Sequence, residues 1–274
     1  MNFQFKEYIK SLKYTDFDEE YNRLKSEGLF RDTIVKNPKK KPILIFGCSF
    51  ANGDGLENEQ TFSTKLSKRT NRSVYNRAYS SLGIQYMPYF LEHYEIEKGL
   101  AENPEYIIFI MIDNHIFRLY RAYYNVLYFV PDKKYKISKN NELVEYNYND
   151  IFLQKSIMYK HLLGKIAEFK TDNGYVDKNF DFIKLHFLKA KKLIDEKFPS
   201  SKLVILRYEE EVNNPIWSSE RWKELEDEGI IVIDSYSLTN EHLNTEEYRL
   251  SDNVHPNEKA WDLIVPKLVE MLNL

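Results

Sequence analysis

The chain has 274 residues, enough for one large α/β domain or for one domain with a sizeable insertion. Hydrophobic residues make up 43% and charged residues 30% of it, a balance typical of globular rather than disordered proteins. The net charge is only −3, from 39 basic and 42 acidic residues, so we expect neither nucleic acid nor an anionic membrane as a partner.

The sequence also bears on the compartment in which the protein works. Its only cysteine, Cys48, excludes an intrachain disulfide, so an oxidising compartment is not required. Residues 1–7 carry charges where a signal peptide needs an apolar stretch, and the longest apolar run, residues 106–112, is too short to span a bilayer. We therefore expect a cytoplasmic protein. The basic run at residues 36–41 is interpreted as a solvated lead-in to a strand.

The predicted elements begin with a helical arm, residues 1–41, in which apolar and aromatic residues recur at helical intervals over residues 4–27. A continuous apolar run at residues 42–47 predicts a first strand that is buried on both faces of a parallel sheet. Further strands are predicted at residues 73–77, 106–112, 202–207 and 230–234. Helices are predicted at residues 59–69, 84–99, 179–197 and 218–228, with a last helix that begins at Pro256.

This alternation predicts a single α/β domain over residues 1–274, a three-layer α/β/α sandwich with a mainly parallel five-stranded sheet. Residues 119–178 break the alternation and predict an insertion. Its predicted elements are a hairpin, with strands at residues 128–130 and 143–148 joined by 131–141, and a helix near 150–169. Functional residues in such sheets gather at the carboxyl ends of the strands.

Three short segments at predicted strand ends or before the last helix are candidates for chemistry. The first, Gly-Cys-Ser over residues 47–49, can expose the Ser49 hydroxyl above the sheet, although a simple strand-to-helix turn would look the same. The second, residues 251–257, places Asp252 and His255 three residues apart, so the carboxylate can hold the imidazole in one tautomer. A helix-capping aspartate beside an exposed histidine is the alternative. The third, residues 75–83, ends at Gly83, where a backbone N–H can approach a ligand closely.

Taken together, these segments resemble the SGNH (GDSL-type) hydrolase superfamily, over about residues 42–273. That family has a Gly-x-Ser block near the first strand, a glycine block after the second, a Gly-x-Asn-Asp block after the third and Asp-x-x-His near the C-terminus. The resemblance implies a flavodoxin-like fold of the SGNH hydrolase type, with Ser49 as nucleophile, His255 as base and Asp252 as acid. The α/β-hydrolases share the chain order, but their Gly-x-Ser-x-Gly elbow does not fit here, because position 51 is alanine.

The resemblance also implies an oxyanion hole, made by the backbone N–H groups of Ser49 and Gly83 and by a third donor. The third block departs from the family pattern, since residues 113–118 read Asp-Asn-His-Ile-Phe-Arg without a glycine. Asn114 is the amide at this strand end and is the candidate donor, with Asp113 as the alternative occupant of that position. Asp113 and His115 are also candidate substrate-binding residues.

Other conspicuous residues have simpler interpretations. Cys48 adjoins Ser49, but side chains alternate in extended chain, so we expect its thiol to pack away from His255. Tyr123 and Tyr124, in a tyrosine cluster of the insertion, are candidate substrate-binding residues that could stack on a sugar, or products of a tyrosine-rich composition. No histidine or cysteine pair has metal-ligand spacing, so neither a metal nor a cofactor is expected.

The resemblance therefore implies a serine esterase that hydrolyses small acyl esters, with acetyl groups on a saccharide as the favoured substrates. Two other classes remain open. One is acyl transfer to a sugar acceptor by the same three residues, with the insertion excluding water. The other is a binding module that keeps the fold without catalysis. The sequence predicts no oligomeric state.

Overall fold

The computed structural model describes residues 17–35, 39–80, 82–94, 103–115, 133–137, 143–147, 176–208 and 220–274. The strands are β1 (Ile43–Phe46), β2 (Val74–Asn76), β3 (Tyr106–Met111), β4 (Lys133–Ile137), β5 (Leu143–Asn147), β6 (Lys202–Arg207) and β7 (Ile231–Asp234). The α-helices are α1 (Phe17–Ser26), α2 (Ser49–Asn52), α3 (Phe62–Thr70), α4 (Tyr86–His93), α5 (Val176–Lys197), α6 (Lys223–Asp227), α7 (Ser235–Thr239) and α8 (Glu258–Leu272).

Five strands form one parallel sheet in the order β2-β1-β3-β6-β7. Each lies within one residue of its predicted bounds at either end, and β1 and β3 are buried along their whole length. Continuous apolar runs identify such strands because both faces of a parallel sheet are covered. Because all five run the same way, the chain segments that follow them gather at one edge of the sheet.

Helices cover both faces of this sheet. Alternate side chains of each central strand point to opposite faces and pack in two separate hydrophobic clusters. On one face, Phe46 and Phe109 pack with residues of α1, α4 and α5. On the other, Ile45 and Ile108 pack with residues of α3 and α8, among them Trp261. The predicted three-layer α/β/α sandwich with a parallel five-stranded sheet is thus confirmed.

The N-terminal segment continues past α1 along the edge of the sheet. Thr33 forms an isolated antiparallel bridge with Val74 of β2, and Asp32 accepts a hydrogen bond from the backbone N–H of Asn76 at 2.8 Å. Helix α1 lies within the predicted arm, while residues 1–16 lie outside the described residues. The segment therefore packs beside the strand that leads to the predicted glycine block.

Strands β4 and β5 form a separate antiparallel pair, in which Ile137 faces Leu143. The second strand of the predicted hairpin is confirmed, but the stretch expected to connect the two contains β4. That prediction is wrong because the lysines of β4 suggest a solvated turn and hide the alternation of Tyr135 and Ile137. The strand predicted at residues 128–130 and the helix near 150–169 lie outside the described residues.

Among the helices that the structure describes, none is long and apolar enough to cross a membrane.

Candidate active site

The turn after β1 presents Ser49 at the carboxyl edge of the sheet. Gly47 leaves the strand with a φ of 149°, a conformation that residues with a side chain rarely adopt. A Cβ atom at Gly47 would lie 2.7 Å from Cβ of Ala51 and 3.0 Å from the carbonyl oxygen of Ile110, so glycine alone fits. Helix α2 then begins at Ser49, which keeps 8% of its surface exposed.

A further glycine lets the loop after Ser49 lie against the segment that bears His255. Gly55 has a φ of 79°, and a Cβ atom there would lie 2.7 Å from Cδ1 of Leu250. Leu250 in turn donates its N–H to the carbonyl oxygen of His255 at 2.8 Å. The missing side chain at Gly55 therefore allows two segments that are distant in sequence to approach closely.

Asp252 closes a compact turn around His255. Its Oδ1 accepts the backbone N–H groups of Val254 at 2.9 Å and of His255 at 3.0 Å. Asn253, between Asp252 and Val254, has a φ of 57°, in the left-handed region that asparagine tolerates better than most residues. These bonds place the other carboxylate oxygen, Oδ2, beside the imidazole ring. The local turn thus explains how a three-residue spacing brings the two side chains together.

The start of the last helix differs from the prediction. The N-cap of α8 is Asn257, whose Oδ1 accepts two N–H groups of the first helical turn at 3.0 and 3.3 Å. Pro256 lies outside the helix, in an isolated bridge with the incoming chain. The prediction that Pro256 opens the helix is wrong, because it would leave His255 as the N-cap, whereas asparagine caps helices well.

The structure brings Ser49, His255 and Asp252 together in one line. Oγ of Ser49 lies 2.9 Å from Nε2 of His255, and Nδ1 of His255 lies 2.6 Å from Oδ2 of Asp252. An ionised carboxylate can only accept hydrogen bonds, so the proton of the neutral ring resides on Nδ1. Nε2 is then free to accept the proton of the Ser49 hydroxyl. This arrangement can generate a serine nucleophile.

Asp252 is ionised at neutral pH. Partial burial acts to raise the pKa of its carboxyl group, but hydrogen bonds from the His255 ring and from two backbone N–H groups outweigh it and lower the pKa from 3.8 to about 2. The Asp252 side chain is 47% exposed, so water screens part of its attraction for the ring. The carboxylate is therefore a charged, solvent-accessible partner of His255.

Aromatic residues support the His255 ring from the side of the core. The ring centroid of Phe50 lies 5.5 Å from that of His255, and Tyr208 packs against Phe50 at 5.4 Å in a near-perpendicular arrangement. Tyr208 contacts Trp261 at 5.5 Å. Sequence reasoning missed this support, because single aromatic residues at element ends look like ordinary core residues.

Cys48 is fully buried and belongs to the hydrophobic cluster on the α3 and α8 face. Its neighbour Ser49 approaches His255 instead. The prediction that the Cys48 thiol packs in the core is confirmed, and the serine hydroxyl is the nucleophilic group that the structure places beside the imidazole.

The predicted backbone oxyanion donors are the N–H groups of Ser49 and Gly83. In the described part of the chain, neither the N–H of Ser49 nor that of Gly83 donates to another backbone group. Gly83 is buried in the loop after β2, at the same edge of the sheet as Ser49. These positions are compatible with the predicted oxyanion hole, which stays a prediction.

Residues 113–115, which follow β3 and Ile112, differ in accessibility. Asp113 is only 3% exposed and His115 is fully buried, whereas Asn114 is half-buried. Nδ1 of His115 accepts the N–H of Ile112 at 3.2 Å, and its ring packs on Phe109 at 5.2 Å. His115 is thus buried against β3, and its candidate role in substrate binding, like that of Asp113, stays a prediction.

The remaining candidates are Tyr123 and Tyr124, which lie outside the described residues. Among the residues that the structure describes, no group of three or more His, Cys, Asp or Glu side chains is placed to hold a metal ion.

The structure predicts distinct outcomes for Asn114 and Asp113. If Asn114 is the third oxyanion donor, Asn114→Ala should lower kcat by roughly a hundredfold or more, about 3 kcal/mol, with little change in KM. Buried Asp113 should instead act on stability, so Asp113→Asn should lower Tm and spare kcat. Measuring kcat, KM and Tm of both variants checks this. A rise in kcat for Asp113→Asn would mean that its carboxylate occupies the donor position.

Comparison with known proteins gives matches to solved structures alone. No protein-family model matches the sequence, and the search of curated proteins finds no significant match. A lipolytic protein of the G-D-S-L family from Veillonella parvula is 16% identical, over 85% of this chain and 98% of that one, with a TM-score of 0.47. An esterase from Pseudoalteromonas sp. is 12% identical, over 85% and 97%, with a TM-score of 0.45. A catalytic mutant of an acetylxylan esterase from Geobacillus stearothermophilus is 12% identical, over 88% and 97%, with a TM-score of 0.47. At these identities and TM-scores the matches establish no activity.

Proposed function

We propose that this protein is a serine esterase that hydrolyses small acyl esters, with acetyl groups on a saccharide as the favoured substrates. The observation that supports this is the line of hydrogen bonds from Ser49 Oγ through both ring nitrogens of His255 to the ionised carboxylate of Asp252. Neutral imidazole in this tautomer is the base that a serine nucleophile requires. The choice of acetyl and saccharide follows from the family that the motifs resemble.

The first half of the proposed reaction acylates the enzyme. Oγ of Ser49 attacks the ester carbonyl carbon while Nε2 of His255 takes the hydroxyl proton, and Asp252 stabilises the resulting imidazolium. The negative charge on the former carbonyl oxygen is held by the N–H groups of Ser49 and Gly83 and by the amide of Asn114. The intermediate then collapses, and the ester C–O bond breaks as His255 returns the proton to the leaving alcohol.

The second half of the proposed reaction hydrolyses the acyl-enzyme and releases the carboxylic acid. Water replaces the alcohol and gives a proton to His255 as its oxygen attacks the acyl carbon. The bond to Ser49 Oγ then breaks, and the proton of His255 returns to this oxygen. A sugar hydroxyl in place of that water would make the protein an acyltransferase.

One assay separates the three functional classes. A chromogenic acetyl ester is incubated with the protein, with and without a sugar acceptor, and both the released chromophore and the acylated sugar are quantified. An esterase releases free acetate in both cases, whereas a transferase forms acetylated sugar at the expense of acetate. The Ser49→Ala variant is the control for each measurement. No turnover in either mixture would leave the binding module as the explanation and contradict the proposed activity.

The activity should depend on pH through His255 alone. Because the pKa of Asp252 is about 2, this carboxylate keeps its charge above about pH 4, and kcat/KM should rise with pH because His255 accepts the Ser49 proton only in its neutral form. The lowered pKa also means that ionised Asp252 stabilises the fold above pH 3.8, a contribution lost as the pH falls toward 2. A pH profile of kcat/KM, with Tm measured in parallel, checks both. A flat profile from pH 5 to 9, with chemistry rate-limiting, would contradict a histidine base.

A further inference from the structure

One buried side chain joins the two segments that bear the proposed backbone oxyanion donors. Asn76, the last residue of β2, is fully buried. Its Nδ2 donates to the carbonyl oxygen of Ala51 at 2.8 Å, and its Oδ1 accepts the N–H of Ala78 at 3.0 Å. Ala51 lies in the short helix that begins at Ser49, and Ala78 opens the loop that leads to Gly83. Asn76 therefore connects both segments with a donor and an acceptor that a single amide supplies.

A second connection between the same segments lies nearer the surface. Oδ2 of Asp54 accepts the hydroxyl of Ser80 at 2.5 Å, and its Oδ1 accepts Nδ2 of Asn52 at 2.6 Å. Asp54 also donates its backbone N–H to the carbonyl oxygen of Ser49 at 3.0 Å. The helix of Ser49 and the loop toward Gly83 are thus connected at two levels, one buried and one half-buried.

Asn76 is itself held in place from the side of the N-terminal segment. Oδ1 of Asp32 accepts both the backbone N–H of Asn76 at 2.8 Å and Nη1 of Arg77 at 2.7 Å. The Arg77 guanidinium lies over the ring of Phe30, 4.3 Å from its centroid. These contacts fix the end of β2, so the Asn76 amide has little freedom to follow a displaced neighbour.

We propose that Asn76 is a positioning residue, which sets the separation between the N–H groups of Ser49 and Gly83. This role rests on the proposed function. Oxyanion donors must lie about 2.7–3.1 Å from the position that the developing charge occupies, and a misplacement of about 1 Å can cost about a hundredfold in rate. The charge exists in the transition state and not in the bound ester. Loss of Asn76 should therefore lower kcat and leave KM nearly unchanged.

If Asn76 acted only on stability, its loss would affect kcat no more than the loss of any other buried hydrogen bond. A matched variant elsewhere in the sheet distinguishes the two roles. Tyr106 also makes a buried hydrogen bond, from its hydroxyl to the carbonyl oxygen of Leu272 at 2.7 Å, at the amino-terminal end of β3. Tyr106→Phe removes that bond and keeps the ring. Both Asn76→Ala and Tyr106→Phe should lower Tm, because each leaves a buried polar group unpaired. Asn76→Ala alone should impair the chemistry.

The experiment compares wild type, Asn76→Ala and Tyr106→Phe for kcat, KM, Tm and inhibition by a small boronic acid, which forms an anionic tetrahedral adduct on a serine nucleophile. We expect Asn76→Ala to lower kcat and boronic-acid affinity by a similar factor, roughly ten- to a hundredfold, with KM unchanged. Tyr106→Phe should keep the wild-type kcat, KM and boronic-acid affinity. If Asn76→Ala does not fold, Asn76→Asp tests the same residue: an ionised carboxylate still accepts the N–H of Ala78 but cannot donate to the carbonyl oxygen of Ala51, so kcat should fall severalfold with KM unchanged.

The outcomes separate this role from the proposed function. Turnover by the wild type that is lost in Ser49→Ala supports the esterase, whatever the Asn76 result. An unchanged kcat in folded Asn76→Ala, or an equal kcat loss in Tyr106→Phe, would overturn the positioning role alone. So would an unchanged kcat in folded Asn76→Asp where Asn76→Ala does not fold. No turnover by the wild type would overturn both.

Discussion

Replacement of Ser49 by alanine is expected to lower kcat/KM for a chromogenic acetyl ester by about 10⁴-fold or more while the protein stays folded. Loss of a triad nucleophile costs several orders of magnitude in serine hydrolases, and the remaining rate comes from binding and the oxyanion hole. The substitution removes the hydrogen bond between Ser49 Oγ and His255. It does not change the backbone carbonyl oxygen of Ser49, which accepts the N–H groups of Gly53 and Asp54, so the turn should stay folded. Steady-state kinetics with a measurement of Tm checks both expectations.

The neighbouring cysteine supplies the control for this variant. Cys48 is buried in the core, so Cys48→Ala should retain most of the activity and lose some stability through a small cavity. A thiol-specific reagent should likewise leave the folded wild type active. An active Ser49→Ala together with an inactive Cys48→Ala would show that the nucleophile is the thiol.

The second large effect is expected for Asp252→Asn, which should lower kcat by roughly 10³–10⁴-fold, the range seen when a triad aspartate becomes asparagine. An asparagine oxygen can still accept the two N–H groups that close the turn, so the turn itself should survive. Its NH₂ group would then face Nδ1 of His255 and favour the tautomer with the proton on Nε2. That tautomer cannot accept the proton of Ser49. Kinetics as a function of pH, with Tm, measures the effect.

Asp234 offers a matched control for Asp252. It lies at the same edge of the sheet, where its Oδ1 caps helix α7 by accepting the N–H of Ser237 at 2.9 Å and its Oδ2 pairs with Arg207 at 2.8 Å. Asp234→Asn should therefore lower Tm and spare kcat. Equal kcat losses in the two variants would mean that Asp252 acts only by closing its turn, and that His255 needs no charged partner.

Much of the fold follows from local sequence patterns. The five parallel strands lie in continuous apolar runs, which are unambiguous because both faces of such a strand must be covered. The two residues Asp252 and His255 are also predictable as a pair, since their spacing lies within one turn. The prediction failed at β4, where lysines mask the alternation, and at Pro256, where a local rule for proline competes with the capping ability of Asn257.

By itself the sequence thus determined the strand positions and the Asp252–His255 pair, which depend on spacing within a few residues, and the layered architecture, which depends on the alternation of strands and helices. Ser49 was a candidate nucleophile through the family that the motifs resemble. Only the tertiary structure decided that Ser49 meets His255 across 206 positions of the chain, that His115 is a core residue and that Asn76 joins two loops. These contacts depend on how the parallel strands align their carboxyl ends at one edge. A buried polar side chain such as Asn76 has no periodic signal in the sequence, since its partners are backbone groups that every residue possesses.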